Sequence, residues 1–286
     1  MPEGDAVWRT ARRLHTALAG QVVLRSDLRV PSLATTDLAG RRTIEVVPRG
    51  KHILHRLEGD LTLHSHLRMD GRWRTVRAGA ATAKKTHEDH TVRALLVTHL
   101  RAAVGTKLGM LDLVRTNNEA SIVGHLGPDL LDPAFDENLA VHNLQSKPER
   151  PIAEALLDQR NLAGIGTIWA SEPLFIHGLS PWSTVAEVGD VQVAEVVRMT
   201  RRLLVVSCRL GRTTITGRSD TVDDAWVHGR MGLPCKRCGT TVRLAPIGQQ
   251  PHERVMFYCP TCQGGISPRD TGGVQTPLGH GRRETY

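Results

Sequence analysis

Cys235-Lys236-Arg237-Cys238, then twenty residues, then Cys259-Pro260-Thr261-Cys262 is the stretch from which the organisation of this chain reads most directly. Four of the five cysteines stand in two Cys-x-x-Cys pairs, a spacing that lets paired thiolates close on one tetrahedral zinc. Val255-Met256-Phe257-Tyr258 is an apolar, strand-like run leading into the second pair, and Arg254 stands just before it. The reading is a zinc-pinned β-hairpin with an arginine near its turn, a device suited to reaching a phosphate. Two disulfides and a redox dithiol compete with it. No apolar h-region follows the start, so disulfides are not expected. A thioredoxin-like dithiol needs one pair beside a βαβ pattern, and here two pairs share a short segment. Four thiolates leave no open coordination position, so the zinc is expected to be structural.

Outward from that module, 286 residues suffice for two domains besides it. Lys and Arg total 37 against 29 Asp and Glu, giving +8 and a pI near 9.7. That excess favours a polyanionic partner, most simply nucleic acid, and would also suit an acidic membrane surface. No apolar run approaches the length of a membrane span, and the chain is expected in the cytoplasm. Aromatic residues make up only 3%, which argues against an RNA-binding sheet that stacks bases.

Val7, Ala11, Leu14 and Leu18 mark a first helix that stops at Gly20. Strand-like runs follow at 21–24, 43–47, 52–57, 61–66, 92–99 and 110–114, punctuated by turn residues such as Pro48, Gly50, Gly59 and Asp60. This half reads as an antiparallel β-sandwich with the helix at one edge. From about Ser121 the texture turns helical, at 126–131, 152–159, 165–177 and 191–206. The fold class is therefore α+β and multidomain: a β-sandwich domain over 1–117, a helical domain over 121–225 and a zinc finger over 229–264. Residues 265–286, rich in Gly, Arg, Pro and Thr, read as a solvated, disordered tail.

The chain begins Met1-Pro2-Glu3-Gly4-Asp5. Methionine before proline is normally removed, leaving Pro2 with a free secondary amine. An α-amino group titrates at about 7.7–8.0, so a neutral, nucleophilic fraction exists near pH 7. It can attack an aldehydic carbon such as C1′ of a deoxyribose and form an iminium ion, with Glu3 beside it to move protons. Alone, Pro-Glu at a helix start is ordinary. Three other features shift the balance. Lys51, in Arg49-Gly50-Lys51-His52, sits on a turn suited to holding a phosphate or assisting a proton transfer. Asn161-Leu162-Ala163-Gly164-Ile165-Gly166-Thr167 opens an apolar helix, where backbone N–H groups bind phosphate. His64-Ser65-His66-Leu67-Arg68-Met69-Asp70-Gly71 ends a strand in a loop able to enter a duplex. Histidines of period two, such as His64 and His66, more often form one polar face than a metal site.

In this order and at these separations, the residues resemble the formamidopyrimidine-DNA glycosylase / endonuclease VIII family over roughly residues 2–263. The pieces are the Met1–Gly4 start, residues 49–52, residues 66–71, His125-Leu126-Gly127-Pro128-Asp129, Leu156-Leu157-Asp158-Gln159, residues 163–175, Gly229-Arg230 and Arg254. The resemblance implies an N-terminal helix and β-sandwich, a helix–two-turn–helix domain and a four-cysteine zinc finger on Cys235, Cys238, Cys259 and Cys262. It implies a bifunctional DNA glycosylase and lyase. Pro2 attacks C1′ of an oxidised nucleotide flipped out of the duplex, Glu3 serves as general acid, and β,δ-elimination leaves a one-nucleotide gap. Lys51 and Arg254 correspond to phosphate contacts that support the chemistry. Leu67, Arg68 and Met69 correspond to the void-filling loop, and Gly166, Thr167 and Arg230 to further DNA contacts. The implied partner is damaged double-stranded DNA, with single-stranded or bubble DNA left open, and the implied state is a monomer.

Departures narrow the branch. Thr167 stands where the family usually carries Asn, Ala6 where a second carboxylate is usual, and His228 where Tyr is frequent. Residues 102–107 replace the Asp-Pro-Arg-Arg-Phe-Gly loop of the formamidopyrimidine branch. Gly211 to Cys235 is too short for that branch's capping loop. Both absences favour the endonuclease VIII branch and oxidised pyrimidines. The competing function is a damaged-DNA-binding zinc protein that has lost catalysis; an RNA- or ribosome-associated protein leaves Pro2-Glu3 unexplained.

Overall fold

The structure is a computed structural model that describes residues 2–79, 88–217 and 224–277. Met1 and residues 278–286 of the expected tail lie outside the described residues. The chain divides into two units, Met1–His125 and Leu126–Tyr286.

In the first unit, helix α1 (Gly4–Leu18) turns Val7, Ala11, Leu14 and Leu18 inward, as their spacing requires. Among the described residues eight strands follow: β1 (Arg25–Leu28), β2 (Thr43–Arg49), β3 (His52–Leu57), β4 (Leu61–His66), β5 (Arg72–Arg77), β6 (Val92–Val97), β7 (Arg101–Thr106) and β8 (Met110–Arg115). They form two antiparallel sheets, ordered β1-β6-β7-β5 and β2-β3-β4-β8. Leu28, Trp73, Leu96 and Ala103 of one sheet share a core with Ile53, Leu57, Leu63 and Leu111 of the other and with α1, so the expected sandwich is present. The first strand is displaced from the expected 21–24 to Arg25–Leu28, because Val22 makes only an isolated bridge to Arg42. β5 and β7 add to the expected set. In β5, only Trp73 is buried among arginines, and β7 is built from small residues, so neither shows a strong alternating signal.

A short helix, α2 (Ala120–Val123), precedes the second unit. That unit contains α3 (Glu137–Gln145), α4 (Ile152–Leu157), α5 (Thr167–Ile176), α6 (Val185–Val188) and α7 (Asp190–Arg209). No helix among the described residues is long and apolar enough to cross a membrane. α5 is its centre: Trp169, Ala170 and Leu174 pack with Ile152, Leu156, Val193, Val197 and Leu204. Residues 126–131, expected to be helical, form turns instead. Pro128 supplies no N–H, the Asp129 carboxylate accepts the Leu131 N–H at 2.9 Å, and Asp129 bridges Ala163. α3 escapes a pattern reading because only Ala140 and Leu144 are buried; its start is fixed by Asp136, which accepts the Leu139 N–H at 2.9 Å.

Strands β9 (Arg243–Ile247) and β10 (Arg254–Tyr258) form the hairpin between the cysteine pairs. It belongs to the helical unit rather than standing as a third: Ile247 and Met256 enter the α5 core, while Phe257 and Cys235 pack with Phe175 and Val227. The segment after Gln263 is not a free tail as far as Pro277. Asp270, 1% exposed at its side chain, accepts Arg243 Nη2 at 2.6 Å and the Tyr258 hydroxyl at 2.6 Å. The Gln275 amide donates to the Leu244 carbonyl at 2.8 Å and accepts the Leu244 N–H at 2.7 Å, mimicking a third strand on β9. Arg243 and Tyr258 lie far enough upstream that local composition conceals the pairing.

Asp270→Ala is expected to cost about 3 kcal/mol, because it leaves the Arg243 guanidinium buried without its anion. Arg243 holds the Asp270 carboxyl well below the usual carboxylate range. A depressed pKa contributes stability that is complete above about pH 4 and is lost as pH falls through the folded value. Denaturant melts of wild type and variant therefore differ at pH 7 and converge in acid.

Candidate active site and nucleic-acid interface

In the first unit, three elements converge at one end of a sheet. β2 and β3 are joined by a two-residue turn, Gly50-Lys51, since Arg49 pairs with His52. Gly50 has φ +57°, the left-handed value this tight turn needs at its first central position. His52 pairs with His66, so Lys51 and the loop after His66 leave the sheet at the same end. α1 runs against β2: the Gly20 N–H donates to the Thr43 carbonyl at 2.9 Å, and the Val46 N–H to His15 Nδ1 at 3.2 Å. A helix of 15 residues spans roughly 22 Å, close to a seven-residue strand. The start of α1, with Pro2 and Glu3, is therefore directed to the end that carries Lys51.

Glu3 is 2% exposed and Lys51 9%, whereas Pro2 is half-buried. Glu3 is the N-cap residue of α1, yet its side chain does not cap the helix. The charge at the helix start is met instead by Asp5, ion-paired with Arg9 at 2.7 Å. Ala6, the departure from the family pattern, is a half-buried residue of the same first turn. In the 67–70 loop the three residues expected to enter a duplex differ in exposure, Leu67 first. Its side chain is buried in the sandwich core and anchors the loop, leaving Arg68 exposed and Met69 65% exposed. Arg68 takes φ +50°.

His52, His64 and His66 lie on one face of this sheet. Burial is the main cause that pushes His52 down to about 3 and His66 to about 4, so both imidazoles are neutral at pH 7. Among the described residues, only the four cysteines bring three or more potential ligands to one metal-sized centre.

In the second unit, Gly166 is the N-cap of α5 and Thr167 its first residue. Gln159 fixes the turn before them: its amide donates to the Ile165 carbonyl at 2.8 Å and accepts the Gly164 N–H at 3.1 Å. Thr167, half-buried, brings a hydroxyl to the positive end of the helix dipole. The four cysteine sulfurs lie within 4.8 Å of one another, and Cys238 Sγ to Cys259 Sγ is 3.5 Å, too long for a disulfide. A tetrahedral site with Zn–S of about 2.3 Å has sulfurs about 3.8 Å apart, so the donor set and spacing fit one zinc ion. Thr240 pulls the Cys238 thiol down to about 6, while burial pushes Cys259 up. Arg237, inside the first pair, lies 4.3 Å above the Phe175 ring and donates to the Phe175 carbonyl at 3.1 Å, fastening the module to the end of α5.

Arg254 opens β10, exposed, and its side chain makes no hydrogen bond or ion pair among the described residues. It forms part of the wall of a cavity of about 440 Å³ with Arg150, Arg160 and His252. Arg230 differs from expectation. It is 8% exposed and donates to the Pro234 carbonyl at 2.9 Å, so it braces the approach to Cys235 rather than presenting its charge at the surface.

Sequence reasoning missed Glu172. This buried carboxylate in α5 accepts the N–H groups of Trp226, Val227 and His228 at 2.9, 3.0 and 2.7 Å, fixing the backbone that carries His228. A glutamate amid the apolar run 168–175 is the only signal that could have pointed to it.

Comparisons with known proteins give the family and the fold. The family model for the formamidopyrimidine-DNA glycosylase N-terminal domain matches residues 1–116, and that for the formamidopyrimidine-DNA glycosylase H2TH domain matches residues 126–219. The chain is 48% identical to a Streptomyces coelicolor protein named "Probable endonuclease 8 2", over 95% of this chain and 97% of the relative. It is 40% identical to the Mycolicibacterium smegmatis DNA-(apurinic or apyrimidinic site) lyase Nei2, over 92% and 99%. Its fold is that of Lactococcus lactis formamidopyrimidine-DNA glycosylase, solved bound to DNA containing an abasic site, with a TM-score of 0.76 at 23% identity over 92% and 99%. This chain belongs to the formamidopyrimidine-DNA glycosylase / endonuclease 8 family of DNA repair glycosylases and lyases.

Proposed function

We propose that this protein excises oxidised pyrimidines from DNA and then cuts the strand by β,δ-elimination through a Schiff base on Pro2. The observation that carries the reading is the direction of Pro2 and Glu3 toward the sheet end that bears Lys51 and the exposed Arg68-Met69 loop. The neutral Pro2 nitrogen attacks C1′. The C1′–N bond forms as the bond to the base breaks and the Pro2 N–H proton is lost. The C1′–O4′ bond then breaks as the ring oxygen takes up a proton, leaving an open-chain iminium ion, and Glu3 supplies the proton the departing base or ring oxygen requires. Loss of the C2′ proton from the resulting iminium ion then expels the 3′-phosphate, and a second elimination expels the 5′-phosphate. Lys51 holds a backbone phosphate, and Met69 fills the space left by the flipped nucleotide. Structural zinc is the ion proposed for the four cysteines; when bound, it stiffens the hairpin that carries Arg254. The protein acts as a monomer on damaged DNA in the cytoplasm, at the nucleoid.

The pyrimidine preference is supported by residues 101–106, which form strand β7 where the formamidopyrimidine branch carries a base-reading loop. Duplexes with a single dihydrouracil or a single 8-oxoguanine test it. The expected product is a one-nucleotide gap at dihydrouracil, formed faster than any cut at 8-oxoguanine; the reverse order would defeat the branch assignment.

Arg254→Ala is expected to weaken binding to lesion DNA about tenfold or more, the loss of one charge-assisted phosphate contact, with zinc content unchanged. The slope of log K against log salt should fall by about one phosphate's share. Loss of zinc from the variant would instead make Arg254 a structural residue.

A further inference from the structure

A chain of four contacts runs across the β3-β4-β8 face to the exposed loop. Asp112 Oδ2 lies 3.0 Å from His64 Nδ1, and His64 Nε2 lies 2.8 Å from His52 Nδ1. The His52 ring meets His66 edge-on, with centroids 4.9 Å apart, and His66 Nδ1 lies 3.0 Å from the Arg68 N–H. Strand register builds this line: His64 pairs with Asp112 and His66 with His52, so period-two side chains share the face.

The hydrogen bonds fix every proton. A carboxylate only accepts, so His64 carries its proton on Nδ1 and offers a bare Nε2, which accepts from His52 Nδ1–H. At the other end, the backbone N–H of Arg68 can only donate, so His66 must keep Nδ1 bare and its proton on Nε2. Only a neutral His66 can make that bond. Burial depresses His52 and His66, and positive neighbours depress them further: Lys51, His125 and the other cluster histidines for His52, Lys51, Arg68 and His64 for His66. Asp112 is the carboxylate that meets the cluster.

The bond to Arg68 matters because this residue adopts φ +50°, costly for a side chain with a Cβ. The loop is also tied at its base, where the Gly109 N–H donates to the His66 carbonyl at 2.9 Å and the Gly71 N–H to the Leu67 carbonyl at 3.0 Å. A Cβ at position 109 would lie 2.4–2.6 Å from the Arg68 side chain, so Arg68 is laid closely over the turn before β8.

We propose that Asp112, His64 and His52 are positioning residues for the void-filling loop: hydrogen bonds from Asp112 through His64 fix the His52 ring, whose edge contact packs His66 in place as the acceptor that keeps Arg68 left-handed and Met69 presented to duplex DNA. The structural part stands on the contacts above; the role in DNA rests on the proposed glycosylase/lyase reading. In this proposal His64 and Asp112 act through His66 and Arg68 and not on the reacting atoms. Their effect should appear only where a duplex must be opened.

Amide exchange at Arg68, read by NMR at pH 7, tests the structural part without DNA. His64→Leu and Asp112→Val are expected to speed it about tenfold, and His64→Gln, which can donate and accept in the same places, to recover most of the protection. In wild type, long-range ¹⁵N–¹H correlations should show Nδ1 of His64 protonated and Nδ1 of His66 bare. The functional arm uses a duplex with 2-aminopurine beside an abasic site. The fluorescence rise on unstacking should slow about tenfold in His64→Leu, while borohydride trapping on single-stranded abasic DNA stays within twofold of wild type. Unchanged Arg68 exchange in both His64→Leu and Asp112→Val, or a protonated His66 Nδ1, would overturn the proposal. Unchanged unstacking despite faster exchange would overturn the DNA role. A wild-type protein giving no adduct on either duplex or single-stranded abasic DNA would sink the enzyme reading instead, and the exchange result would still decide the structural claim.

Discussion

Blocking the Pro2 nitrogen, by N-terminal acetylation or by retention of a formylated Met1, is expected to abolish strand cleavage at abasic sites and to leave no borohydride-trapped adduct. The reason is electronic. An amide nitrogen has no available lone pair, so no iminium ion forms at C1′ and no C2′ proton becomes acidic enough to leave. The rate should fall by about 10³-fold or more, the scale on which removal of a covalent nucleophile is felt when surrounding groups still bind substrate. Pro2→Gly retains an α-amine and should fall less far. Equilibrium binding to an uncleavable abasic analogue should stay within a few-fold of wild type, because Lys51, Arg68 and Arg254 are untouched. Cleavage by fully blocked protein would place the nucleophile elsewhere.

Glu3→Gln should separate the two activities. The glutamine keeps the size of a side chain that is 2% exposed, so packing at the start of α1 survives. It has no acidic proton to give. Base excision, which needs that proton for the leaving base, should drop by roughly 10²- to 10⁴-fold, the usual worth of a positioned general acid. Cleavage of DNA that already carries an abasic site has no base to expel and should keep most of its rate. Parallel single-turnover assays on dihydrouracil and abasic duplexes make the comparison. Equal loss on both would make Glu3 a participant in elimination or a structural residue rather than the acid of the first step.

The parts of this molecule legible in its sequence are those whose partners are close in the chain or announced by spacing. The cysteine pairs, the arginine five residues before Cys259 and the α1 periodicity are of that kind, and the sulfurs and the buried helix face lie where such patterns require. That the start of α1 and the Lys51 turn point to one end of the sheet was legible only through the ordered set of motifs, since each piece alone is an ordinary turn or terminus. What escaped depends on contacts between distant residues. Glu172 looks like a misplaced charge until the backbone of 226–228 folds onto it. Residues 264–277 look like a solvated tail until Asp270 meets Arg243 and Tyr258. Leu67 and Arg230 show the opposite case, exposure expected from the motif and burial found. Both sit in the right motifs, yet their side chains turn inward, one to the sandwich core and the other to the Pro234 carbonyl. A motif fixes where the backbone passes; burial decides which of its side chains can touch DNA.

The central claim is that the reactive end of the protein is its N-terminal proline, with the cysteine module as support. Reducing the reaction with abasic DNA by borohydride, digesting the adduct and sequencing it by mass spectrometry tests this most directly. The account predicts the deoxyribose remnant on the Pro2 nitrogen of the N-terminal peptide. A remnant on the Lys51 side chain, or no adduct from protein with a confirmed free Pro2, would contradict it.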